Sequence, residues 1–157
     1  MYVETERMDR VRAALRAQGL TQMIVCDPKS VWYLTGVAVE PYERLLALYL
    51  PTEGEPMLFL NRLFNVPEPP CRTVWHTDTD KPVAQIAEVV DAGKPLGIDK
   101  EWPAKFLIPL METHPGMQVV LSSDCVDDCR ACKDAEEQTL MREASRINDA
   151  VNETAKH

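Results

Sequence analysis

The stretch from Met23 to Gly36 limits the folds open to this chain more than any other. Met23-Ile24-Val25-Cys26 is a short apolar run rich in β-branched side chains, which suit a pleated, covered surface, so it predicts a buried strand. Asp27-Pro28 then turns the chain, because an Asp side chain bonds backbone amides two residues on and Pro presets φ. Ser30 is placed to cap a short helix over Val31, Trp32, Tyr33 and Leu34, and Gly36 can take the left-handed conformation that ends it. A strand running into a rigid platform with two adjacent aromatics points to an α/β sheet, where ligands and partners gather at the carboxyl ends of strands.

With 157 residues there is room for one domain with a real core. The net charge of −8, with no basic block, argues against nucleic acid and anionic membrane as partners. No apolar run approaches the roughly 20 residues of a membrane helix. Residues 1–7 lack a positive segment leading into an apolar one, so no secretory signal is expected. Five scattered cysteines suit a reducing compartment, and the expected location is the cytoplasm.

Along the chain, Glu4 to Gln18 predicts a first helix with Met8, Val11 and Leu15 on one stripe, ended by Gly19. A loop over residues 37–43 carries Pro41-Tyr42. Leu45–Leu50 and Met57–Asn61 read as strands joined by Thr52-Glu53-Gly54-Glu55, a length and composition that predict an antiparallel hairpin. Pro67, Pro69 and Pro70 make residues 62–71 irregular. Arg72–Thr77 alternates like a strand, Asp80 is placed to cap a helix through Val83, Ile86, Ala87 and Val90, and Gly93 closes it. Leu96–Asp99 and Gln118–Leu121 read as strands, with a helix after Trp102-Pro103 between them that Pro109 should kink or split. Asp134-x-x-Glu137 is a variant capping box. Leu140, Ala144, Ile147 and Val151 then recur at helical period, an apolar face that calls for a covering surface in residues beyond this sequence.

Reactive constellations are sparse. His76, His114 and His157 lie far apart, outside any metal-binding motif, and read as surface or loop histidines. Cys125, Cys129 and Cys132 are spaced like ligands, but no fourth thiol or imidazole lies near, and Cys132 reads as filling an apolar slot, with a zinc or redox role for the trio as the lesser alternative. No nucleophile elbow or glycine-rich phosphate cradle is present. Asp78/Asp80, Asp127/Asp128 and Glu136/Glu137 look like loop and cap residues. Trp32 and Tyr33 either pin the short helix to the core or, with Tyr42 and Arg44, line a groove or interface, where aromatic and Arg side chains carry much of the binding energy.

The strand, then Asp27-Pro28-Lys29-Ser30-Val31-Trp32-Tyr33-Leu34-Thr35-Gly36, then the strand Arg44–Pro51, resembles the N-terminal domain of the creatinase/prolidase (Xaa-Pro peptidase) family. The resemblance runs from the first helix to Lys133-Asp134-Ala135-Glu136-Glu137. It implies a three-layer α/β/α domain with a mixed sheet of five to six strands and a ribonuclease H-like motif over residues 1–132. Residues 133–157 would begin a catalytic domain, as its first helix. In such metallopeptidases two divalent metals (Mn, Co or Zn), held in that domain by acidic residues and a histidine, activate water to cleave bonds before proline, whereas creatinase works without metal. None of those ligand motifs lies in this chain, so no catalytic, cofactor or metal residue is expected on it. The N-terminal domain supports a homodimer and leans over the neighbour's cleft, which implies a substrate-lip or interface role for Trp32, Tyr33, Tyr42 and Arg44. The expected function is that of a non-catalytic domain, with its own catalytic domain, a second subunit and a proline-containing peptide as partners. The alternative is a stand-alone protein-binding module.

Overall fold

A computed structural model describes residues 3–155. Helix α1 (Val3–Ala17) is followed by β1 (Gln22–Val25), α2 (Pro28–Thr35), β2 (Ala47–Pro51), β3 (Met57–Asn61) and β4 (Arg72–His76). Then come α3 (Pro82–Ala87), β5 (Leu96–Ile98), α4 (Ala104–Thr113), β6 (Val119–Leu121), α5 (Asp124–Ala131) and α6 (Ala135–Thr154). The strands form one six-stranded sheet in the order β4-β3-β2-β1-β5-β6. Strand β2 runs antiparallel to β1 and β3, and every other pair is parallel.

The pleat divides the core in two, because successive side chains point to opposite faces. Met23 and Val25 of β1 and Leu48 and Leu50 of β2 pack with Met8, Val11 and Leu15 of α1, Val31 and Leu34 of α2, and Cys125 and Val126 of α5. Ile24, Ala47 and Tyr49 face the other way, onto Ile86 of α3 and Leu110 of α4. The result is the expected three-layer α/β/α domain, with α1, α2 and α5 on one face and α3 and α4 on the other. Because all strands but β2 share a direction, the carboxyl ends of β1, β3, β4, β5 and β6 meet at one edge of the sheet.

Several local expectations change. Asp27, not Ser30, is the N-cap of α2: its carboxylate accepts the Ser30 amide at 2.9 Å and the Ser30 hydroxyl at 2.8 Å. With Pro28 at the first helical position, Asp27 takes the N-cap and its carboxylate reaches the free amide of Ser30. Asp80 closes a turn back onto the Thr77 amide and hydroxyl, and α3 starts behind Lys81 without a side-chain cap. That helix ends at Ala87, well short of Gly93. Helix α4 runs unbroken through Pro109. His76 is no surface histidine: it is buried in β4 with Nε2 3.1 Å from the Leu45 carbonyl. His114 is half-buried beside the Ala87 carbonyl at 2.9 Å, and His157 lies outside the described residues. Cys132 is exposed, not set in an apolar slot, whereas Cys125 takes the buried place on α5, a helix that the cysteine spacing concealed.

Candidate functional site

The four sequence-selected residues separate into two places. Trp32 and Tyr33 are consecutive in α2, an eight-residue helix, and so point to different faces of it, of which only one meets the core. Tyr33 is 6% exposed and belongs to the core, whereas Trp32 is 58% exposed. The Tyr33 hydroxyl accepts from Arg10 at 2.6 Å and donates to the Cys129 carbonyl at 3.3 Å, while the Arg7 guanidinium lies 4.6 Å above its ring. Burial pushes the Tyr33 hydroxyl pKa up, against the pull of Arg10 and Arg7. Trp32 lines a groove of about 360 Å³ with Arg7, Lys29, Arg130 and Leu140 of α6.

Tyr42 and Arg44 lie instead at the carboxyl edge of the sheet. Tyr42 is 78% exposed at φ 52°, the left-handed region that costs a non-glycine residue about 1–3 kcal/mol and persists only where its surroundings enforce it. The base of its loop is tied down. Arg44 grips Asp78 through both Nε and Nη2 at 2.9 Å, and Asn61 donates to the same carboxylate at 2.8 Å. The paired hydrogen bonds hold the Asp78 carboxyl below its ordinary value and raise the guanidinium pKa. Arg44, Asn61, His76, Asp78 and Asp80, with Leu45, line a cleft of about 370 Å³. Since its one guanidinium is already neutralised bidentately, Arg44 acts first as a fastener for the loop that carries Tyr42.

The cysteine thiols that depart from their ordinary values all do so upward, Cys71 and Cys125 to about 11, with burial as the leading cause. Thiols so shifted are poor nucleophiles at neutral pH. Among the described residues no group of three or more His, Cys, Asp or Glu is placed to hold a metal ion.

Two structural residues escaped the sequence reading. Asp99, 5% exposed at the end of β5, accepts the amides of Asp27 at 3.1 Å, Glu101 at 3.0 Å and Cys26 at 3.4 Å, so it pins the end of β1 where the platform begins. Arg130 reaches from α5 to the Ser30 hydroxyl at 3.0 Å and the Asp27 carboxylate at 3.3 Å. An acid directly after a short buried strand was the available signal for Asp99; nothing local marks Arg130.

Residues 7–132 match the family described as the Creatinase/Prolidase N-terminal domain. The chain belongs to this family. A probable dipeptidase PepE of Mycobacterium tuberculosis is 28% identical over 159 residues, which takes in 96% of this chain and 42% of the relative. The crystal structure of dipeptidase PepE from Mycobacterium ulcerans aligns with a TM-score of 0.78 at 26% identity, covering 97% of this chain and 43% of that one. The Creatinase/Prolidase N-terminal domain of an X-Pro dipeptidase from Streptococcus pyogenes aligns over 78% of this chain and 98% of its own, with a TM-score of 0.65 and 22% identity, which shows the common fold. The chain thus spans less than half the length of the curated relatives it matches over nearly its whole length. No helix among the described residues is long and apolar enough to cross a membrane.

Proposed function

We propose that this chain serves as the non-catalytic N-terminal domain of an Xaa-Pro dipeptidase- or aminopeptidase-like enzyme, contributing to a homodimer and shaping the substrate cleft of a catalytic portion. The observation that carries this reading is α6, a 20-residue helix with no buried residue. Leu140, Ile147 and Val151 lie exposed along it, and Trp32 is exposed on the groove that α6 borders. A helix with an apolar stripe gains its stability in water mainly by covering that stripe. The catalytic portion is the cover, and α6 is its first helix. The divalent metals, Mn, Co or Zn, are assigned to that portion, where they would activate water; among the described residues no group of three or more His, Cys, Asp or Glu is placed to hold one. Tyr42, raised on its fastened loop, and Arg44 then stand at the lip towards a proline-containing peptide, and five free cysteines suit the cytoplasm.

The test is Ile147→Lys, which keeps helix propensity but places a charge in the stripe. Its expected effect on this chain alone is negligible, while a longer polypeptide carrying the catalytic portion loses stability and activity. Equal stability and activity in both versions of the longer polypeptide would refute the reading.

A further inference from the structure

We propose that Arg7 and Asp134 are positioning residues that fix the direction in which α6 leaves the domain. A helix without a buried residue has no packing to set its axis, so only its N-terminus can. That end is clamped. Asp134 is the N-cap of α6, accepting the Glu137 amide at 2.9 Å through Oδ1 while the Glu137 side chain accepts the Asp134 amide at 3.0 Å. The other oxygen, Oδ2, accepts from Nε of Arg7 at 2.8 Å, with Nη2 also at 2.8 Å, and Arg10 stands 3.8 Å away. One carboxylate therefore caps α6 and holds α1 at the same time.

Arg7 has little freedom to follow if the helix swings. Its side chain is nearly buried, its Nη1 donates to the Tyr33 carbonyl at 3.3 Å, and its guanidinium is stacked on the Tyr33 ring. Tyr33 is in turn held by Arg10 and by the Cys129 carbonyl in α5. Glu136, in the first turn of α6, adds a contact to Nη2 of Arg7 at 3.5 Å. The helix start is thus tied to α1 and, through Arg7 and Tyr33, to α2 and α5, three elements that share one face of the core. The consequence lies a turn further on, where Leu140 is brought beside Trp32 across the groove. Trp32 and Leu140 thereby line one groove, set before any partner arrives. The clamp acts within this chain whatever covers α6.

Residual dipolar couplings of the backbone amides test this, using the chain as it is. In the native protein one alignment tensor should fit α1–α5 and α6 together. Asp134→Asn keeps a good N-cap, because Asn caps as well as Asp, but removes the charge that Arg7 grips. The expected result is that α6 keeps its helical chemical shifts while its couplings shrink and no longer fit the shared tensor. Arg7→Gln, which leaves the capping box intact, should do the same; if that variant fails to fold, Asp134→Asn decides alone. A single tensor that still fits α6 in Asp134→Asn would overturn the assignment. So would separate tensors in the native chain, or a helix that melts in Asp134→Asn, which would reduce Asp134 to a local cap.

Discussion

Replacing Asp99 by Ala should be among the more damaging single changes to a polar residue in this chain. Its two carboxylate oxygens take amides from just beyond the carboxyl ends of both β1 and β5: Oδ2 accepts Asp27 at 3.1 Å and, weakly, Cys26 at 3.4 Å, and Oδ1 accepts Glu101 at 3.0 Å. Alanine leaves two well-made bonds and one poor one without an acceptor in a covered site. A hydrogen bond to a charged group is worth about 1.5–3 kcal/mol and an abandoned buried amide costs about 1–3 kcal/mol. Allowing water to re-satisfy part of the space, the loss comes to roughly 2–4 kcal/mol, a large share of the about 5–15 kcal/mol that holds a domain together. Asn separates the two oxygens, since its amide group can accept at one position and must present a donor at the other. It should therefore cost less than Ala, about 1–2 kcal/mol on the same accounting. Urea unfolding followed by far-ultraviolet circular dichroism measures both, with unchanged m-values showing that only stability has moved. If Asp99→Ala lies within about 0.5 kcal/mol of the native protein, as an ordinary surface change would, the pinning role is wrong.

Three further outcomes follow from packing and charge. Leu48→Ala, at a fully buried β2 position, should cost about 2–5 kcal/mol, whereas Val151→Ala on the exposed stripe of α6 should stay within about 0.5 kcal/mol; comparable losses in urea melts would mean that α6 packs on its own domain. Thiol labelling at pH 8 should modify exposed Cys132 first, and Cys125, pushed up to about 11 by burial and neighbouring acids, only on unfolding; early loss of Cys125 would contradict its place in the core. Burial alone would raise the Asp134 carboxyl, but Arg7 and the Glu137 amide outweigh it and hold the group below its ordinary value of 3.8. A carboxylate depressed in the folded state gives stability that is complete above the unfolded pKa and lost as pH falls through the folded one. The native chain should therefore lose its advantage over Asp134→Asn below about pH 4, and a gap that stays constant from pH 7 to 3 would show that the charge contributes nothing.

The fold was legible because the pleat and the helix write themselves as periods. Met8, Val11 and Leu15 gave α1, and the runs at Met23 and Leu45 gave the central strands that are covered on both sides. Misplaced ends came from two acceptable capping side chains within a few residues of each other, as at Asp27 and Ser30, where Pro28 sets the helix start. Helix α5 was hidden because its Cys and Asp residues have weak helix propensity, and Cys125 and Val126 are its only buried positions. The candidate site was half legible. Trp32 and Tyr33 were found as a pair, but which of the two faces water depends on how α2 lies on the sheet. Arg44 was found without Asp78, and Asp134 without Arg7, because pairs so far apart in sequence meet only when the sheet is built.

In the proposed reading the bond-breaking groups reside in the catalytic portion and not on this chain. Incubation of the purified chain with an Ala-Pro dipeptide and Mn or Co addresses it most directly. No proline release above the buffer blank is expected; turnover by homogeneous protein that a chelator abolishes would contradict the proposed reading.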